Sequence, residues 1–213
     1  MDVHPPHEPI RSWKDFLLHL LTITIGLLIA LGLDVAVEAM HHRHMVRDAQ
    51  ANLRKEISEN HALYAENKRN LADNRSRLEH DIEQLRDLRA GKTPEHLDLH
   101  WGFYWGGYAD AAWKTARDIG AVPYMTPEMI EQYDSIYGQQ ALVNEAGVGV
   151  LLAEAKAAAP LRIAKDHHDP KDLLTSDVQV MLLATAELDG TAETLQSIMK
   201  ELDDEYVLAL KEP

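Results

Sequence analysis

The 213-residue chain has no cysteine. Disulfides, thiol nucleophiles, iron–sulfur clusters and cysteine zinc sites are thereby excluded, and no redox clue to compartment remains. Conventional enzyme signatures are missing too: there is no phosphate-cradling glycine loop, nucleophile elbow, His-Glu-x-x-His pair or dinucleotide fingerprint. No cofactor is implied. Aromatic residues are scarce at 6%, and five of the thirteen fall between Trp101 and Tyr108. The net charge of −14 is unevenly placed: −2 over Met1–Val37, zero over Glu38–Ala90 and −12 over Gly91–Pro213. An acidic distal half repels phosphate backbones, so nucleic acid is not an expected partner.

Two stretches are defined by what they omit. Phe16–Leu33 is 18 residues without a formal charge. At about 1.5 Å per residue it spans roughly 27 Å, the hydrocarbon thickness of a bilayer. Trp13 and Lys14 precede it, where an interfacial aromatic and a snorkelling cation belong. The run exceeds a usual signal-peptide core, although Ala30-Leu31-Gly32 is a tolerable cleavage site, so an uncleaved single-pass anchor over residues 16–37 is expected. A short polar tail, residues 1–15, comes before it. His19, Thr22, Gly26, Ala30 and Asp34 follow at steps of three or four and share one face. Small and polar residues at that spacing suit helix–helix association in the bilayer. The positive-inside count is tied between Arg11 and Lys14 on one side and Arg43 and Arg47 on the other. A short tail before a large domain behaves as a signal anchor, which predicts an extracytoplasmic distal domain.

The second stretch, Leu33–Ala90, has 58 residues without glycine or proline. It predicts one helix continuing from the anchor into a stalk, 38–90, that ends at Gly91. Its seam reads Val46, Leu53, Ile57, Tyr64, Leu71 and Leu78, shifting to Ile82 and Leu85, with Asn60, Asn67 and Asn74 between. One seam asparagine sets register at a cost in stability, and three weaken a dry coiled coil considerably. Packing against other helices of the same chain is therefore favoured over a loose homotypic stalk.

Beyond Gly91 an aromatic-rich loop and a short helix, Ala109–Ile119, fill residues 91–125. Thr126-Pro127-Glu128 is a helix start with a hydroxyl N-cap and first-turn proline. Its helix is expected to bury Met129, Ile130, Tyr133, Ile136, Tyr137, Ala141, Val148, Leu151 and Leu152 and to stop near Ala158, before Pro160. A linker follows, then a last helix from Ser176 or Asp177 with Val180, Leu183, Leu188, Leu195, Ile198, Leu202 and Tyr206 inward. The fold class is all-α: a transmembrane helix running into a stalk, with residues 126–213 forming an antiparallel helical bundle with that stalk.

Three polar clusters and one aromatic patch are the candidate sites. Glu38, His41 and His42 lie within one turn beyond the anchor, as half a di-metal carboxylate site or as an interfacial polar collar. His96, Asp98 and His100 alternate, so an extended loop turns all three one way, towards a divalent metal or towards solvent. Asp166-His167-His168-Asp169 reads as a hydrophilic linker. Trp101, Phe103, Tyr104, Trp105 and Tyr108, with Trp113 nearby, are a ligand-pocket wall, a hydrophobic plug for the bundle, or an exposed partner surface.

The Thr24-Ile25-Gly26-Leu27-Leu28-Ile29-Ala30-Leu31 anchor, the long charged helix, Ala112-Trp113-Lys114-Thr115-Ala116 and the Tyr133…Tyr137 pair resemble a group of uncharacterised bacterial single-pass membrane proteins. The resemblance implies topology and carries no activity. The expected role is a membrane-anchored structural or interaction subunit that forms a homo-oligomer or docks on a larger membrane complex. The alternatives are a ligand-binding or sensory module acting through a partner, and a metal-binding protein.

Overall fold

The computed structural model describes residues 12–92, 94, 97–163 and 173–211, and among them there is no strand. The chain is all-α. Its helices are α1 (Trp13–Arg89), α2 (Ala111–Asp118), α3 (Pro127–Ile163) and α4 (Thr175–Lys211), with a 3₁₀ turn at Val122–Tyr124. Two compact units divide it, residues 1–48 and 49–213.

The ends of these helices follow from local chemistry. Gly91 has φ of 82° and Gly120 has φ of 73°, a left-handed conformation that side-chain-bearing residues avoid. Each closes a Schellman motif: Lys92 N–H donates to the Asp87 carbonyl and Ala121 N–H to the Ala116 carbonyl, both at 3.0 Å. The Thr126 hydroxyl accepts from Met129 N–H at 3.4 Å to start α3. Asp177 reaches back to Leu174 N–H at 3.3 Å and opens α4, slightly earlier than Ser176.

In the first unit, α1 contains an 18-residue window long and apolar enough to cross a membrane, and none of that window is buried. A core helix of a soluble domain would be mostly buried; this one offers its whole apolar circumference.

The second unit is built on antiparallel contacts to α4. From α1, Arg54 donates to the Leu210 carbonyl at 3.3 Å, His61 meets Asp203 at 3.1 Å and Arg75 meets Asp189 at 3.1 Å. From α3, Ser135 donates to Glu205 at 2.7 Å and Lys156 pairs with Glu187. Since α1 and α3 both oppose α4, they run parallel to each other. Tyr137 accordingly donates to Glu56, and Gln50 lies against Met129. Residues 97–126 return the chain between them. The stalk seam is spent inside the chain, with Leu53, Ile57, Asn60, Tyr64, Asn67, Leu71, Leu78 and Leu85 all buried.

Three sequence expectations are corrected. Val180 and Leu183 of α4 are exposed; the inward stripe is Val178, Met181, Thr185, Leu188, Ala192, Leu195, Met199, Leu202 and Tyr206. Its steps of three and four pass through small and polar residues that hydrophobicity alone does not select. On α3, Ala141, Val148, Leu151 and Leu152 face out, while Gln140, Val143, Gly147, Val150 and Ala157 face in. There the core side is chosen by the returning segment, which requires polar and small partners. Finally, α3 continues through Pro160 to Ile163. A proline so near the C-terminus removes one hydrogen bond and leaves little helix beyond it to disrupt.

Leu195→Ala is expected to cost about 2–5 kcal/mol in denaturant unfolding of the detergent-solubilised protein, against about 0.5 kcal/mol or less for Leu183→Ala. Equal costs would place the α4 stripe wrongly.

Candidate functional site

Residues 97–110 form an extended strap rather than a helix. Three glycines, at 102, 106 and 107, and clustered aromatics lower its helix propensity. An extended segment packed on helices must find partners for its own N–H and C=O groups. Side-chain amides supply them. Asn67 donates to the Gly106 carbonyl at 2.8 Å and accepts Gly106 N–H at 3.1 Å. Asn60 does the same with Ala109 at 2.8 and 3.0 Å, and Asn144 of α3 with Tyr108 at 3.0 and 2.9 Å. Gln84 brackets Asp98 at 2.8 and 3.2 Å. Carboxylates take further lone donors: Asp81 from His100, Glu154 from Phe103 and Glu56 from Ala112.

The spacing is a matter of two rises. Asn60 and Asn67 are seven residues apart, about 10.5 Å along a helix at 1.5 Å per residue. Ala109 and Gly106 are three apart, about 10 Å of extended chain at 3.3 Å per residue. The match persists: 24 residues of α1 from Asn60 to Gln84 cover about 36 Å, as do 11 strap residues from Asp98 to Ala109. The strap therefore runs antiparallel to α1 in constant register. Close approach demands glycine at position 147 and crowds position 106, where the flexible end of Leu63 could give way. A β-carbon on Gly106 would stand 2.8 Å from Leu63 Cδ1, and one on Gly147 would overlap the Trp105 indole.

The aromatic candidates are distributed along this strap. Trp101, Tyr108 and Trp113 are buried, Phe103 and Trp105 are half-buried, and Tyr104 is 62% exposed. Phe103 stacks on Trp105 with centroids 6.1 Å apart, Trp105 meets Tyr108 edge-on at 5.8 Å, and Tyr108 meets Tyr206 at 6.2 Å. Trp113 stacks on Tyr137 at 5.9 Å under the Arg117 guanidinium. Burial pushes the Tyr108 phenol up to about 12, and burial likewise raises Tyr64, Tyr137 and Tyr206. All four are neutral at physiological pH. Beside Trp101 and Phe103 lies a void of about 10 Å³ that Asn74, Leu78 and Val150 also line, room for about one water. The Trp101 and Trp105 indole N–H groups are buried without a hydrogen bond among the described residues, while the Tyr108 hydroxyl lies beside Asn67 and the Tyr206 hydroxyl beside Gln140.

The polar candidates are placed as follows. Glu38 and His41 are exposed on α1, His42 is partly covered, and the two imidazoles stand 6.1 Å apart. His100 meets Asp98 at 3.2 Å, while His96 and the 166–169 cluster lie outside the described residues. Among the described residues no group of three or more His, Asp or Glu is arranged to hold a metal ion. His19, Thr22, Gly26, Ala30 and Asp34 are exposed within an arc of about 120°, at 3.6 residues per turn. The Thr22 hydroxyl donates to the Leu18 carbonyl at 2.9 Å, and a β-carbon on Gly26 would have nothing within 4 Å.

Sequence reasoning missed Glu56, Asp81, Gln84, Asn144, Gly147 and Glu154. The heptad spacing of Asn60 and Asn67 was the visible signal of the strap; nothing local distinguishes Asn144 or Glu154. Comparison with protein-family models, curated proteins and solved structures finds no match.

Asp81 is fully buried with one oxygen unpartnered, and desolvation raises its pKa; burial also raises Glu154. A carboxyl whose folded pKa is raised binds protons more readily when folded, so stability rises as pH falls through that pKa. The gain is complete below the unfolded values near about 4. Relative to the Asp81→Asn/Glu154→Gln variant, wild type is expected to gain stability from pH 7 to 4.5 in urea unfolding. A difference independent of pH would refute the assignment.

Proposed function

We propose that the protein is a membrane-anchored interaction subunit that associates laterally, with itself or within a larger membrane assembly, through one face of its anchor. The observation that carries this reading is the stripe of His19, Thr22, Gly26, Ala30 and Asp34 on a helix none of whose apolar window is buried. Small residues let a second backbone approach, and polar groups at membrane depth gain from a protein partner rather than lipid. The strap adds indirect support. Its aromatic side chains pack against α1, α3 and α4 rather than around an open volume, which favours an architectural role over a small-ligand site. We also propose that the acidic second unit lies on the extracytoplasmic side, since a short tail before a large domain behaves as a signal anchor.

Gly26→Leu/Ala30→Leu fills the stripe while keeping the span apolar. Native mass spectrometry in mild detergent is expected to show a shift from assembled to monomeric protein with insertion intact. Unchanged assembly would reduce the anchor to a plain tether.

A further inference from the structure

The second unit has an open groove of about 490 Å³ between the start of α3 and the end of α4. Apolar Met129 and Leu208 line it with four carboxylates, Glu128, Glu131, Asp204 and Glu205. Leu208 is 60% exposed, and no cation pairs with any of the four carboxylates among the described residues. An apolar surface edged by four carboxylates, none paired to a cation, fits a helix that presents apolar and basic side chains together.

The chain itself contains such a helix. From Ala39 to Arg47, α1 carries two arginines and three histidines and no acidic residue. Met40, Arg43 and Arg47 follow at steps of three and four, so they share a face, and all three are exposed. Arg47 contacts His44 at 3.0 Å, and neither arginine meets a carboxylate among the described residues. Methionine adapts its shape to an apolar partner, and guanidinium groups form the strongest carboxylate pairs.

We propose that the acidic groove receives the basic collar of a second copy, with Met40 against Met129 and Leu208 and with Arg43 and Arg47 against the carboxylates. This deepens the lateral-association reading and rests on it for the shared bilayer. The collar and groove also differ in sign, which steers two copies into one register.

The cysteine-free chain makes the test direct. One tagged copy carries His44→Cys and the other Leu208→Cys, which keeps the four groove carboxylates and both collar arginines in place. Both are expressed in one membrane and treated with a short bismaleimide. A mixed adduct at twice the chain mass is expected. Glu128→Lys/Glu131→Lys in the Leu208→Cys copy should lower its yield about fivefold, and Arg43→Glu/Arg47→Glu in the His44→Cys copy should restore it. Ala30→Cys pairs report anchor association independently. An Ala30 adduct without a His44–Leu208 adduct overturns the groove assignment and leaves lateral association standing. Absence of both adducts overturns the two readings together. A His44–Leu208 adduct indifferent to charge reversal overturns the electrostatic recognition.

Discussion

Everything in the second unit is arranged around the need to satisfy an extended backbone that lies between helices. A strap of 14 residues packed on α1, α3 and α4 would bury unpaired peptide groups at about 1–3 kcal/mol each. Amide side chains meet that demand because each offers one donor and one acceptor at the separation of a residue's own C=O and N–H. Asn60, Asn67, Asn144 and Gln84 therefore act as single rungs of a ladder whose other rail is helical. Once the strap is held, the core follows from it. Trp105 enters the space left by Gly147, Tyr108 reaches Tyr206, and α3 turns its small and polar side inward.

The asparagine spacing is where sequence and structure meet most informatively. Within a coiled-coil frame, Asn60 and Asn67 are costs; beside an extended chain they are contacts repeating at the same interval. A seven-residue step cannot distinguish those cases, because two helical turns equal three extended residues in length. Asn74 continues the spacing towards Phe103, yet Glu154 takes that N–H, and Asn74 instead borders the small void. Other features were legible because their causes are local. Gly91 and Gly120 end helices through left-handed φ, Thr126 caps α3, and the uncharged run of α1 makes a helix long and apolar enough to cross a membrane. The buried stripes of α3 and α4 were legible in part: Tyr133, Ile136, Tyr137, Leu188, Leu195, Leu202 and Tyr206 are inward as their spacing suggests, whereas Gln140, Thr185 and Gly147 are inward for reasons of partnership rather than hydrophobicity. Val180, Leu183 and Leu152 illustrate the converse: large aliphatics at the surface of helices whose inner faces are already committed.

This division of labour bears on function. The aromatic and amide residues that would ordinarily suggest a binding pocket are consumed in holding the strap, and the carboxylates Glu56, Asp81 and Glu154 share that task. The apolar circumference of the N-terminal helix, the exposed Met40 and Arg43 beyond it and the acidic groove of the second unit take no part in holding the strap. Those surfaces are complementary in chemistry, small face to small face and basic stripe to acidic groove. The proposed lateral association would use these surfaces directly.

The central claim is that helical side chains hold the strap backbone as firmly as the helices hold their own. Amide hydrogen exchange by NMR on the full-length protein in detergent tests it at single residues. His100, Phe103, Gly106, Tyr108 and Ala109 should exchange with protection comparable to buried α1 amides, and Asn67→Ala should release Gly106 first. Exchange of these five amides at the rate of exposed loop residues in the wild-type protein would contradict the account.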